Sequence, residues 1–300
     1  MNTFTKALFT AAFLFTSSLS FAQQEPINVL FWNNYLHTNP AMTGAVYKHQ
    51  ANLTWNNYAV KNKYSGPDYP QTTSANYALK LDKIHSGIGV SYRYDTPSFT
   101  RIHTGLISYA YHIPIKSMFL SIGVSGGIKA MDLYFPDTAG VFRRSAYGPK
   151  FTSDFGIALR HEKWNVGASL TQWNGAILRM KDSADYSYKF PAHFWFFADY
   201  RFQLGENWSL TPRIQTVLDR IDLVAHIQAI ATWKENLWFG AGVRAFVRGG
   251  ANVRITPMVG YDIKGRFRIG YSAVIAAGNN LLSGYYNTIT HEAVLGLMLK

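Results

Sequence analysis

Apolar and polar residues alternate along most of the chain, most clearly between Ala251 and Ala273. In the first part of this stretch the odd-numbered positions are apolar and the even-numbered positions are mostly polar. Because successive side chains of a β-strand point to opposite faces, this period of two predicts a strand with one apolar face. The alternation stops at Lys264 and Gly265 and resumes at Phe267, which predicts an antiparallel hairpin with a two-residue turn.

The same alternation recurs in about fourteen segments, each close to the roughly 9 to 11 residues with which a strand crosses an outer membrane. An even number of such strands predicts an all-β fold, a single antiparallel transmembrane β-barrel over residues 50–300. The predicted strands are 50–60, 71–81, 85–94, 102–113, 118–130, 151–160, 163–171, 192–204, 207–218, 221–233, 236–248, 251–263, 266–275 and 290–299.

The lengths of the predicted connections alternate between the two ends of the strands. Every second connection is short: 82–84, 114–117, 161–162, 205–206, 234–235 and 264–265. The other set includes 61–70, 131–150, 172–191 and 276–289 as long loops, with briefer connections at 95–101, 219–220 and 249–250. Short periplasmic turns opposite long external loops are typical of outer-membrane barrels, whereas a soluble β-sandwich gives no reason for this parity. The membrane barrel is therefore favoured over the sandwich.

The composition agrees with a wall that faces lipid. Only 15% of the residues are charged and 16% are aromatic, which suits a surface with lipid at its middle and headgroups at its rims. The chain has no cysteine, which excludes disulfides and thiolate sites. The net charge is +12, but the basic residues are scattered and form no basic helix, so nucleic acid is not expected as a partner.

The first residues resemble an export signal. Lys6 precedes the mostly apolar run from Ala7 to Phe15, and Ser20 and Ala22 give a small-x-small cleavage pattern before Gln23. A membrane anchor would need about 20 apolar residues, and this run is shorter. Residues 1–22 are therefore predicted to be a cleaved signal peptide for export, and together with the predicted barrel this places the mature protein in the outer membrane.

Residues 23–49 form a polar and aromatic segment between the leader and the first strand. The segment is too apolar for a disordered tail, because its apolar side chains must be shielded from water. These are Val29, Leu30, Phe31, Trp32 and Tyr35. Three arrangements remain open at this point. The segment could plug the lumen, pack under the barrel or bind a periplasmic partner.

Basic residues on the polar phase of the strands form one candidate site. They could line a lumen that selects an anion or grips an acidic partner segment. Alternatively, they pair with lumen carboxylates such as Asp154, Asp199, Asp222, Asp262 and Glu292, which is the favoured interpretation because one phase of any barrel must be polar. The candidate lumen set is Arg93, Arg213, Arg244, Arg254, Arg266 and Arg268.

The aromatic and histidine residues suggest no chemistry of their own. Tryptophans near strand ends are predicted to form interfacial girdles: Trp164, Trp195, Trp208, Trp233 and Trp238. The histidines show no metal-ligand spacing, and the chain has no Gly-x-Ser-x-Gly elbow. Neither a cofactor nor an enzymatic activity is therefore expected.

Two short motifs resemble the PorP/SprF family of Bacteroidota. The run Asn39, Pro40 and Ala41, then two more residues and Gly44, resembles the segment with which mature members of that family begin. The run His-Glu-Ala-Val-Leu-Gly at 291–296 is similar to the family's terminal strand. The resemblance covers the mature chain in layout and is specific at these two ends.

The resemblance implies a component or accessory of the type IX secretion system in the outer membrane. It implies partners among periplasmic or lipoprotein components of that system, and in some members an exported surface protein such as a gliding adhesin. The motif residues Asn39, Pro40, Ala41 and Gly44 are the candidates for contact with such a partner. The alternative function is a diffusion porin with a basic, anion-selective lumen.

Overall fold

The computed structural model describes residues 25–58, 70–97, 100–136, 142–175, 177–179, 187–219, 222–247, 252–276 and 289–300. The predicted signal peptide lies outside the described residues. Within these ranges no helix is long and apolar enough to cross a membrane.

The described chain is built from β-strands, preceded by three short 3-10 helices. The helices are η1 Phe31–Asn33, η2 Tyr35–His37, η3 Pro40–Met42 and, between two strands, η4 Asp82–Ile84. The strands are β1 His49–Tyr58, β2 Gln71–Leu81, β3 Ser86–Thr96, β4 Thr100–Ile115, β5 Met118–Pro136, β6 Phe142–His161, β7 Trp164–Thr171, β8 Ile177–Arg179, β9 Ser187–Lys189, β10 His193–Tyr200, β11 Phe202–Leu204, β12 Trp208–Leu218, β13 Leu223–Trp233, β14 Leu237–Phe246, β15 Asn252–Ile255, β16 Met258–Ile263, β17 Phe267–Ala276 and β18 Thr290–Leu299.

The sheet closes on itself as a 14-strand antiparallel β-barrel, as the sequence predicts. Each strand pairs with its neighbours in sequence, and β1 pairs with β18 to close the ring. Arg201 separates β10 from β11, and Thr256 and Pro257 separate β15 from β16, so each of these pairs forms one strand of the wall. Strands β8 and β9 form a separate two-stranded hairpin.

The period-two pattern places apolar residues on the outside of the barrel. In β16, Val259 and Tyr261 are each 47% exposed on the outer surface, whereas Met258 and Asp262 are buried on the inner side. The alternation of apolar and polar residues therefore indicates a lipid-facing exterior and an enclosed interior. Two of the predicted girdle tryptophans are exceptions, which are described with the lumen below.

The predicted loop 131–150 is wrong, because β5 and β6 continue through most of it. The two strands stay paired as far as Pro136 and Phe142, and their register shifts between Lys129 and Met131. A step of two positions in β5 is matched there by a step of three positions in β6, from Tyr147 to Lys150, so the extra residue lies in β6. In β5 the phase is kept, because Lys129 and Met131 are both buried on the inner side. The predicted loop 172–191 likewise contains the small hairpin of β8 and β9.

Residues 25–48, called the plug below, lie inside the barrel. Leu30 donates its backbone N–H to Glu292 of β18, and on other sides of the ring Arg93 of β3 and Arg160 of β6 also bond the segment. A segment that contacts strands around the ring occupies the lumen. It runs from the end of the barrel that carries the long connections toward the end that carries the short turns, where β1 begins.

Candidate functional site

Asn39 fixes the plug to the inner wall of the barrel. Its side-chain Nδ2 donates to the backbone carbonyls of Ile157 in β6 and Ala168 in β7, both at 3.1 Å. Its Oδ1 accepts a 2.9 Å hydrogen bond from the N–H of Ala41, which caps η3. Pro40 at the first helical position suits this cap, because its missing N–H would have had no partner there. One side chain thus starts the helix and bonds it to two strands.

Glycines in the wall make room for the motif. A Cβ added to Gly156 would lie 2.1 Å from Asn39 Oδ1, and one added to Gly123 would lie 2.4 Å from the backbone nitrogen of Ala41. Both distances are far shorter than a real contact, so no side chain fits at either position. These inner-wall glycines complement the plug, and the alternation pattern alone did not single them out.

Gly44 needs to be glycine for two reasons. Its φ is +62°, in the left-handed region, and a Cβ there would lie 2.7 Å from the carbonyl oxygen of Leu79 and 2.8 Å from the Cα of Gly87. The chain turns sharply at this point while pressed against β2 and β3. It then leaves the lumen and enters β1.

The structure places the family motif inside the barrel, where it is buried. Asn39 is 1% exposed and Ala41 is 0% exposed, and Pro40 and Gly44 are also buried. In this structure they hold together two parts of the same chain, because the segment that carries them lies inside the barrel. Contact of these residues with another protein stays a prediction.

Glu25 is enclosed by basic residues in the half of the lumen nearer the long connections. Arg93 Nη1 lies 2.7 Å from Glu25 Oε2, and Lys129 Nζ lies 3.1 Å from Oε1. Burial acts to raise the pKa of Glu25, but the charges of Arg93 and Lys129 outweigh it and hold that pKa below its ordinary value of 4.5. The carboxylate is therefore ionised and pairs the start of the plug with the wall. His37 lies nearby, and its backbone carbonyl accepts from Arg93.

A second charged cluster surrounds Tyr35 near the other end of the plug. Tyr35 donates its hydroxyl hydrogen to Asp199 at 2.8 Å, and Arg213 Nη1 lies 3.4 Å from the same carboxylate. Burial and the charge of Asp199 raise the pKa of Tyr35 well above its ordinary value. The phenol therefore stays neutral and serves as a donor.

Trp32 of the plug lies between two arginines of the wall. The guanidinium carbons of Arg213 and Arg268 lie 4.8 Å and 4.7 Å from its ring centroid, within the range of cation–π attraction. Arg268 Nε also donates to Asp262 at 2.7 Å, and its Nη1 donates to Asn33 at 3.0 Å. These arginines therefore hold the plug as well as pairing with carboxylates.

The remaining members of the predicted basic set have different surroundings. Arg244 is 6% exposed within the lumen, and Arg254 is half-buried with its guanidinium 5.0 Å from the ring centroid of Phe246. Arg266 is not in the lumen. Three residues separate the paired positions Ile263 and Phe267, so Arg266 belongs to the exposed turn rather than to the strand.

Two tryptophans assigned to the girdle face the lumen instead. Trp195 and Trp238 are each 2% exposed. Trp238 lies flat along the wall over Gly260 and Gly270. Its ring packs edge-on against that of Trp32, with 5.1 Å between the ring centroids. Their place near strand ends suggested an interface, but strand parity turns them inward. Trp208 and Trp233 are exposed on the outside.

The plug leaves little free space around Glu25. Two cavities beside it measure only about 20 and 10 Å³. A larger cavity of about 300 Å³ lies between the plug and the wall, and Lys163 and Arg201 line it next to the short turns. We call this cavity the vestibule. Among the described residues, no group of histidine, aspartate or glutamate side chains could hold a metal ion.

Comparison with known structures shows which fold the chain shares. It is similar to the CymD monoaromatic hydrocarbon channel, with a TM-score of 0.58 at 11% identity over 90% of this chain and 92% of that one. It is also similar to the toluene transporter TodX of P. putida, with a TM-score of 0.57 at 11% identity over 87% and 92% of the two chains. The outer membrane protein Omp33 of Acinetobacter baumannii gives 0.50 at 13% identity over 86% and 100%. At these identities the likeness concerns the barrel fold alone.

Sequence comparison goes further than the fold. Curated proteins give no match to the chain. The family model described as type IX secretion system membrane protein PorP/SprF matches residues 20–297. That match covers the plug, its Asn-Pro-Ala motif and nearly all of the barrel, and an outer-membrane location agrees with both the family and the fold. The chain therefore belongs to the PorP/SprF family of type IX secretion system membrane proteins.

Proposed function

We propose that this protein is a non-enzymatic component or accessory of the type IX secretion system that acts by recognising other proteins. The barrel presents its short turns and the mouth of the vestibule to periplasmic or lipoprotein components. Its long connections on the opposite end are available to an exported surface protein of the gliding-adhesin type. Family membership supports the secretion role.

The observation that carries this proposal is the filled lumen. The plug is bonded to the wall through Asn39, Glu25 and Trp32, and wall glycines leave it room to pack closely. A barrel that carries its own seal is suited to a scaffold rather than to free diffusion of solutes. The basic residues that suggested an anion-selective porin are used in part to hold this seal.

The first experiment is an affinity purification of the tagged protein from its native outer membrane in mild detergent, followed by mass spectrometry. We expect secretion-system lipoproteins or one large secreted protein to copurify. An untagged strain and an unrelated tagged barrel control for non-specific recovery. Recovery of the barrel alone at native expression contradicts the proposal.

A second experiment separates the scaffold from the porin. Purified protein in planar bilayers is expected to show no steady ion conductance, because the plug blocks the lumen. Stable, anion-selective conductance of the unmodified protein would favour the porin. A variant with a loosened plug, described in the Discussion, shows whether a conducting state can be detected.

A further inference from the structure

The vestibule is a polar cavity with a defined floor and mouth. Its volume is about 300 Å³, at the lower end of the range of ligand-binding pockets. Trp32, Arg213 and Arg268 line its inner part, and Lys163 and Arg201 line the part at the short turns. Because short turns lie on the periplasmic side of outer-membrane barrels, the vestibule opens toward the periplasm.

The floor of the vestibule has hydrogen-bond donors that the described chain does not use. Arg213 Nε and Trp32 Nε1 are buried and have no hydrogen-bond partner among the described residues. Arg213 Nη1 pairs with Asp199 at 3.4 Å, and Arg268 is bonded to Asp262 and Asn33. Four basic residues line the vestibule against two acidic ones: Lys163, Arg201, Arg213 and Arg268 against Glu162 and Asp199. This excess of positive charge favours a carboxylate over a neutral carbonyl.

The surroundings of the mouth are basic as well. Exposed basic residues outnumber exposed acidic ones at the turn end of the barrel. The basic residues are Lys48, Lys83, Lys116, Lys163, Arg201, Lys234, Lys264, Arg266 and Lys300, and the acidic ones are Asp82, Glu162, Glu206 and Glu235. A positive rim around a cleft attracts negatively charged partners and raises their association rate.

We propose that the vestibule is a docking site for an acidic segment of a periplasmic protein, whose carboxylates pass the mouth at Lys163 and Arg201 and bind Arg213. This inference rests on the proposed function and names the chemistry of the partner. A phospholipid headgroup is also anionic. The barrel wall separates the floor of the vestibule from the bilayer, so lipid would contact the outer rim and not Arg213.

A peptide-binding experiment tests the charge preference with the whole protein. The probe is fluorescent hexaglutamate, added to the full-length mature chain in nanodiscs of zwitterionic lipid, with hexaglutamine as the neutral probe. We expect hexaglutamate binding that weakens as salt rises, and at least about tenfold weaker binding by the double variant Lys163→Glu/Arg201→Glu. Equal binding of the two peptides overturns the proposal.

A matched variant separates the vestibule from the rim as a whole. Lys83→Glu/Lys116→Glu makes the same charge change at exposed turn residues that do not line the cavity. We expect it to weaken binding by less than about threefold, through long-range electrostatics alone. An equal loss of hexaglutamate binding in both double variants would assign binding to the whole rim, as expected for lipid headgroups. That result would overturn the proposal that the vestibule is the docking site.

The floor is tested by Arg213→Gln beside Arg213→Lys. The lysine variant keeps the charge that attracts a carboxylate, so it should retain more hexaglutamate binding than the glutamine variant. If Arg213→Gln does not fold, the exposed mouth variants still decide the question. Identical binding by wild type, Arg213→Lys and Arg213→Gln contradicts a role for the floor.

Photo-crosslinking in cells connects the site to a natural partner. A benzoylphenylalanine at Tyr47, which lines the vestibule, should crosslink to a periplasmic protein, whereas one at the lipid-facing Ile122 should not. If the affinity purification recovers partners but Tyr47 gives no crosslink, the vestibule is excluded while the proposed function stands. If no partner is recovered by either method, the proposed function itself fails.

Discussion

The side chain of Asn39 lies directly on the backbone of Gly156, where its Oδ1 is 2.1 Å from the position that a Cβ of residue 156 would take. The first residue of the plug motif is thus matched to a glycine more than a hundred positions later in the chain. The match predicts that a side chain at position 156 disturbs the turn at Asn39.

Gly156→Ala should displace the plug. The added methyl group cannot avoid Asn39 unless that side chain turns away from its hydrogen bonds or the plug moves, and overpacking of this kind costs about 1 to 3 kcal/mol. We expect a lower thermal midpoint and measurable ion conductance in bilayers. Gly148→Ala is the control in the same strand, because a Cβ at Gly148 meets nothing within 4 Å. Equal effects of the two variants would show that the fit at Gly156 does not matter.

Asn39→Ala should loosen the plug without crowding it. The variant removes the bonds to Ile157, Ala168 and Ala41, and each lost hydrogen bond costs about 0.5 to 1.5 kcal/mol. The chain has no cysteine, so Met42→Cys gives a single buried reporter thiol. We expect maleimide to label it faster in the Asn39→Ala background than in the parent. Unchanged labelling would contradict the role of Asn39.

Glu25→Gln should weaken the plug at neutral pH. It leaves Arg93 and Lys129 without their carboxylate, and breaking a buried ion pair costs on the order of 3 kcal/mol. Because the folded-state pKa of Glu25 is lowered, its contribution is full above pH 4.5 and is lost as the pH falls below that value. The difference in unfolding free energy between wild type and variant should therefore narrow below pH 4.5. A constant difference down to strongly acidic pH would be inconsistent with the ion pair.

His37 should make the free energy of unfolding depend on pH in a range above that of Glu25. Burial, together with the charge of Arg93, lowers the pKa of His37 to about 3 from its ordinary value of 6.5. The unfolded chain therefore takes up a proton first, and the contribution of neutral His37 is full above pH 6.5 and is lost as the pH falls toward 3. His37→Gln should flatten the profile by up to about 1.4 kcal/mol per pH unit in that window. Parallel profiles for wild type and variant between pH 6.5 and 4.5 would refute this.

Val259→Arg should impair assembly of the barrel. Val259 is 47% exposed on the outer face of β16, and arginine on the lipid face near the midplane costs about 2 to 4 kcal/mol. Lys264→Arg in the adjoining turn adds no charge and should have no effect. The measurement is the folded fraction after refolding into lipid vesicles, followed by the mobility of unheated samples on gels. Normal folding of Val259→Arg would argue that this face does not meet lipid.

The sequence determined the barrel. Strand number, the outward phase of residues such as Val259 and the short turns at one end all follow from local steric rules, which alternate side chains and shape turns over a few residues. These local rules gave wrong predictions in two parts of the barrel. The extended ends of β5 and β6, with an extra residue in β6 between Tyr147 and Lys150, were predicted to be a loop. Arg266 was assigned to a strand, but it belongs to a turn.

Only the tertiary structure decided what fills the barrel. The sequence left three places for the segment 23–49, because its contacts join residues far apart in the chain, such as Leu30 and Glu292 at a separation of 262 positions. The same holds for the wall glycines that receive Asn39 and for Trp238, which packs on the plug. Periodicity reports which face of a strand is polar, but the partner that a polar face meets depends on closure of the ring, which no local pattern encodes.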